Sequence, residues 1–300
     1  MSVDKIPVGK NLAGKYIENV QYQLDKVREN TEKKKRKIIV KAALFWALAI
    51  AVIFLFSLDK FLILFSAFMI FIFLASPYMA LQSDYEAGVK TKILKPMFSD
   101  AGYKYDASAQ NFAKHKFKPM YQECDQERYQ DHIMGQVEGR SFEFCEAYIM
   151  QKKGDRSRVL FQGILLKADL LSKNIPRSIF VRSQYNSIGF KFNFQQDATD
   201  KIILEDAEFS KLFDVYSDDE VGARYYFTPQ VMEAYKKLLA QFSKLDARIS
   251  GQHVYLYLWT EKDYFKVASS SEKVSVSVLY RALDDIKKLI RLIVPITDHT

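Results

Sequence analysis

The chain is poor in the residues that most quickly define a protein. Two cysteines, Cys124 and Cys145, stand among 300 residues with no close-spaced partner, which excludes a disulfide framework and fits a reducing compartment. His115, Cys124, His132 and Cys145 lack any C-x2-C or H-x3-H clip. They read as two small buried thiols and two surface histidines rather than a zinc site. Gly-rich phosphate loops, G-x-S-x-G elbows and H-E-x-x-H are also missing, so no nucleotide, acyl-transfer or metalloprotease chemistry is indicated and no cofactor or metal is expected. A basic folded region is lacking too. The formal net charge is +8, yet residues 1–41 hold 11 lysines and arginines against 5 acidic residues, while 83–300 hold 32 against 30. A basic flank without a basic domain argues against a nucleic-acid partner. No short apolar segment with a cleavage site precedes residue 38, so no signal peptide is expected.

What the chain does have is one long apolar stretch, interrupted only by Asp59 and Lys60. Read as 38–58 and 61–81, it is long enough for two transmembrane helices, each about 31 Å at a rise of about 1.5 Å per residue. The tight turn makes them an antiparallel hairpin. Lys33, Lys34, Lys35, Arg36, Lys37 and Lys41 precede it and Lys90, Lys92 and Lys95 follow it, so the positive-inside rule places both termini in the cytoplasm. Trp46 and Tyr78 suit an interfacial aromatic belt, and Ala43, Ala47 and Ala51 form a small-residue stripe. Uncharged helix interiors favour an anchor over a transporter or channel. The expected site is the inner membrane, multi-pass, with lipids as partners.

The basic arm, residues 1–37, carries Ile17, Val20, Leu24 and Val27 at helical spacing. This stripe suits either a partner or self-association helix, or a helix resting on its own domain; the second is the expectation. Lys33, Lys34, Lys35, Arg36 and Lys37 form a lipid-facing basic candidate or a topology signal. Beyond the hairpin region 38–82, residues 83–300 read as one mainly antiparallel α+β domain. A helix is expected over 85–101, ended by Gly102. Hairpins are expected between 142–150 and 159–168, and between 247–250 and 253–260 around Gly251. Shorter strands are expected at 178–182, 188–194 and 201–204. Thr228-Pro229 starts a helix, and a C-terminal helix is expected from about 275 to 292, stopping before Pro295.

Several segments resemble the bacterial Domain of Unknown Function 3137 family. They are Leu204-Glu205-Asp206-Ala207-Glu208-Phe209, Phe213-Asp214-Val215-Tyr216-Ser217-Asp218-Asp219, Ala223-Arg224-Tyr225 and Thr228-Pro229 to Met232, preceded by the run Phe161 to Asp169. The resemblance spans roughly residues 90–265. Gly222 stands where that family usually has an acidic residue, and the last 30 residues lack its usual ending. Membership implies a bacterial membrane-associated protein without an established activity. It also gives a weak pointer to a LemA-like membrane protein as partner.

The one cluster with chemical potential is acidic. Glu205, Asp206, Asp214, Asp218 and Asp219, with Glu208, Glu220 and Arg224 nearby, could supply hard oxygen ligands or an acid/base pair. The same residues suit caps and ion pairs: Asp206 as an N-cap, Asp218-Asp219 in a turn, Arg224 as a partner. The leading expectation is a membrane-anchored cytoplasmic binding or scaffold module acting through protein contacts. The alternatives are a membrane-bound enzyme, possibly metal-dependent, centred on residues 205–220, and envelope or lipid sensing through the hairpin and basic arm.

Overall fold

Beyond residue 126 short apolar-rich runs recur, some with apolar residues at alternate positions as at Phe142 and Phe144, the period of a strand with one face turned inward. The chain obeys it. The computed structural model describes residues 10–55, 65, 79–117, 124–153, 156–171, 175–184, 200–266 and 276–298. By its contacts the chain divides into two compact units, one comprising Phe98–Phe265 with Tyr280–Thr300, the other including Pro7–Met97.

In the N-terminal unit a single helix, α1, runs from Lys10 to Leu55. Its stripe Val20, Leu24 and Val27 is buried, as are Leu81, Tyr85 and Val89 on a second helix, α2, over 79–100. Gly88 admits the close approach: a Cβ there would stand 3.2 Å from Val27 Cγ1. The stripe therefore packs on the chain's own helix. Lys33 pairs with Glu29 at 2.6 Å and Lys35 with Glu32 at 3.9 Å, along α1 itself.

Among the described residues no helix is long and apolar enough to cross a membrane. This overturns the transmembrane hairpin 38–58 and 61–81 in the expected fold class. It also overturns the placement as a multi-pass inner-membrane protein with both termini cytoplasmic. The physical reason lies in α1, whose charges continue to Lys41. Within the described part of α1, the uncharged residues Ala42 to Leu55 span about 21 Å at a rise of about 1.5 Å per residue, short of a hydrocarbon core of about 30 Å. Leu44, Phe45 and Leu48 stand exposed on it. Residues 56–64 and 66–78, which include Asp59, Lys60, Tyr78 and most of the expected second helix, lie outside the described residues.

In the larger unit α2 ends at Asp100, and Gly102 terminates it as expected. With φ +86°, Gly102 lets its N–H reach Ser99 O and the Tyr103 N–H reach Phe98 O, both at 2.9 Å. Nine described strands then form one antiparallel sheet: β1 Lys104–Asp106, β2 Gln126–Val137, β3 Arg140–Lys153, β4 Arg156–Asp169, β5 Ile175–Ser183, β6 Lys201–Ile202, β7 Phe213–Tyr216, β8 Lys244–Gly251 and β9 His253–Trp259, in the order β1-β2-β3-β4-β9-β8-β5-β7-β6. Both expected hairpins form. Phe142 pairs with Ala168 across β3 and β4, and Gly251 at φ +60° turns β8 into β9. β9 is central, between β4 and β8. That position buries Val254 through Leu258 on both faces. The strand expected at 188–194 lies outside the described residues.

One sheet face is covered by the segment after β1. Phe117 meets Tyr257 edge-on at 5.5 Å and the Arg248 guanidinium donates to Lys116 O at 2.8 Å. The other face carries helices α3 Ala207–Leu212, α4 Glu220–Tyr226, α5 Pro229–Leu239 and α6 Val276–Thr297. Thr228 caps α5, accepting from the Val231 N–H at 3.3 Å, with Pro229 at its first position. α6 does not stop before Pro295 but continues to Thr297. Tertiary bonds hold its last turn: Tyr226 Oη donates to Ile296 O at 3.0 Å, and the Leu171 N–H donates to Thr297 O at 3.2 Å.

Candidate functional site

β2, β3 and β4 extend past the end of β9, because β4 pairs with β9 only from Gly163 onward. On this projection Glu146 and Tyr148 leave β3 on one face while Cys145, Ala147 and Ile149 enter the aromatic core on the other. The chain after β9 then crosses the first face. Thr260 N–H donates to Gln162 O at 3.1 Å, Tyr264 N–H donates to Glu146 Oε1 at 2.9 Å, and Phe265 is buried against Phe98, Tyr105 and Phe144. Between crossing and sheet lies an open cleft of about 710 Å³, whose lining includes Glu127, Glu146, Tyr148, Glu261, Lys262 and Asp263.

Glu146 is the unusual group in it. Its side chain is buried, and the amide of Gln130 donates to Oε2 at 3.3 Å. Burial pushes the carboxyl up to about 8, with the charges of Asp263 and Asp131 adding to the effect and the Tyr264 N–H opposing it. Asp131 sits at a bulge of β2 with φ +56° and is fully buried beside the Tyr105 hydroxyl, which donates to it. At the rim Glu127 is paired with Lys114 at 3.1 Å and accepts from Cys124 Sγ at 3.0 Å. Lys262 reaches Asp285 on α6 at 2.6 Å. Glu146, buried and hydrogen-bonded to Gln130 and the Tyr264 N–H, makes this a polar cleft. It offers donors and acceptors of both kinds.

The acidic residues singled out in the sequence lie elsewhere and split into separate small networks. Asp206 caps α3, accepting from the Glu208 and Phe209 N–H groups at 2.9 Å, and pairs with Lys236 at 3.3 Å. The Phe209 N–H bond and Lys236 hold its carboxyl below the usual range. Asp219 caps α4 through the Gly222 N–H at 2.8 Å. A Cβ at Gly222 would stand 2.3 Å from Asp219 Oδ2. Asp214 pairs with Lys201 at 2.6 Å and Gln184 at 2.8 Å; Asp218 faces Arg177 at 3.5 Å. Arg224 joins Glu220 and Glu205. None of these residues lines the large cleft.

Among the described residues no group of three or more His, Cys, Asp or Glu side chains is placed to hold a metal ion. Cys145 is buried and its thiol is pushed far up by burial, so it is inert; Cys124 is half-buried. His115 is exposed, but His132 is fully buried, edge-on to Phe112 at 5.4 Å, which corrects its reading as a surface histidine. Sequence reasoning missed Glu146, Asp131 and Asp263. A signal existed in Glu146, a charged residue inside the apolar run 142–150 that has to enter a strand.

Fold and cleft together define an α+β domain built on one large antiparallel sheet, with a polar recess where three strands outrun the rest. The family model described as "Protein of unknown function (DUF3137)" matches residues 159–296, a little under half of the chain, which supports membership of that family. The match includes α6, so the C-terminal helix belongs to the shared segment despite its unusual ending, whereas residues 90–158 fall outside it. No curated protein matches the chain. A crystal structure of the mycobacterial trehalose monomycolate transport factor A aligns over 68% of this chain and 94% of its own, at 8% identity and a TM-score of 0.35. That likeness is too low to carry an argument about function.

Proposed function

We propose that this chain is a binding module acting through protein contacts, with the cleft over β2, β3 and β4 as its contact surface. The observation that carries this reading is the cleft itself. It is open, about 710 Å³, and lined by polar groups that include the buried Glu146. The carboxylates at 205–219 serve as caps and ion-pair partners, which leaves an enzyme reading without a convergent set.

The test is quantitative capture from a lysate of the source cells, with the wild-type chain and a Glu261→Lys/Asp263→Lys variant as baits. A stoichiometric partner retained by the wild type and lost by the variant supports the reading. No stoichiometric partner, or equal retention by both baits, overturns it.

A further inference from the structure

The projection that forms the cleft also leaves a strand edge open. β4 pairs with β3 from Arg156 onward but with β9 only from Gly163, so among the described residues the outer edge at 156–159 has no neighbouring strand. Beyond Val159 the register with β3 shifts at a bulge, and Leu160 and Phe161 turn inward. The open part is short and strongly cationic. Arg156 and Arg158 are exposed, two positions apart and hence on one face. Val159 points to the other face and is 46% exposed. Neither arginine has an acidic partner within 4 Å among the described residues.

An edge of this kind rejects most strands. A second copy pairing edge to edge would bring arginine against arginine, and like charges placed opposite each other destabilise a ladder. Such charges are a known protection against self-association. They leave one type of strand favoured: an extended segment with carboxylates at alternate positions beside Arg156 and Arg158, and apolar side chains between them beside Val159. Main-chain hydrogen bonds supply affinity in such an addition, and the alternating side chains supply the choice of partner.

We propose that the edge of β4 at 156–159 docks an extended segment of a protein partner in which acidic and apolar residues alternate. This deepens the protein-contact reading by naming a partner chemistry, on a surface separate from the cleft.

The probe is a capped hexapeptide of alternating glutamate and valine, titrated by fluorescence anisotropy against the full chain. Saturable binding is expected. It should weaken at least tenfold when alternate peptide nitrogens are methylated, which removes ladder hydrogen bonds and keeps charge. It should weaken similarly in an Arg156→Glu/Arg158→Glu variant, which should instead bind the lysine–valine peptide. The Glu261→Lys/Asp263→Lys variant should bind the glutamate–valine peptide as the wild type does, so failure of the cleft reading and failure of the edge reading are told apart. Absence of saturable binding overturns the proposal. So does equal affinity for the methylated peptide, or displacement by polyphosphate of the wild type and the Arg156→Glu/Arg158→Glu variant alike.

Discussion

Replacing Glu146 by glutamine tests the electrostatics of the cleft most directly. In the folded chain its carboxyl holds its proton up to about 8, while an ordinary glutamate releases it near 4.5. The sign follows from linkage. Below pH 4.5 both states are protonated and the group's favourable contribution is fully present. Between 4.5 and 8 the unfolded chain ionises and the folded one does not, so stability falls as pH rises through that window and levels off above it. At about 1.4 kcal/mol per pH unit the full window is worth close to 5 kcal/mol. Water reaching an open cleft reduces this, and 2–4 kcal/mol is the working range. Glutamine keeps the shape and the acceptor for the Tyr264 N–H but does not titrate. Urea unfolding of wild type and Glu146→Gln, followed by circular dichroism, should give stabilities within about 1 kcal/mol of each other at pH 4.5. At pH 8.5 the variant should be more stable by about 2–4 kcal/mol. A difference that is the same at both pH values would refute the argument, because a structural effect of the amide has no reason to follow this titration.

Three further outcomes follow from packing. Gly163→Ala places a Cβ 2.0 Å from Leu258 O on the neighbouring strand, so β4 and β9 must separate; thermal unfolding should register a loss of about 3 kcal/mol or more, and a neutral result would contradict the register. Tyr226→Phe removes the hydroxyl that binds Ile296 O and should cost about 1–2 kcal/mol, with faster amide exchange confined to the last turn of α6; unchanged exchange there would count against that bond as its anchor. Asp219→Ala deletes the cap of α4 and should cost about 1 kcal/mol in urea unfolding, leaving partner capture through the cleft unchanged. Loss of capture would place the acidic segment in the functional surface after all.

Local chemistry made many elements legible. Gly102 and Gly251 marked turns that the structure makes with positive φ. Thr228-Pro229 opened α5, and Asp206 capped α3. Such features depend on a few adjacent residues and a backbone conformation that only certain side chains favour. The apolar stretch after Lys37 misled, because hydropathy measures how greasy a segment is and not where a helix carrying it begins. α1 begins at Lys10 and carries charge for most of its length before that stretch. The acidic residues misled for another reason. Nearness in sequence placed Glu205 to Asp219 in one group, but a cap, a strand and a turn point them in different directions.

Periodicity, caps and turn residues thus determined from sequence alone that this is an α+β chain of antiparallel hairpins and capped helices, because those signals act over a few residues. Tertiary structure alone decided that β9 lies at the centre, that β2, β3 and β4 outrun it, and that Asp131, Glu146 and Asp263 meet. These follow from strand order and length, which bring together residues more than a hundred positions apart, and no local pattern encodes that meeting.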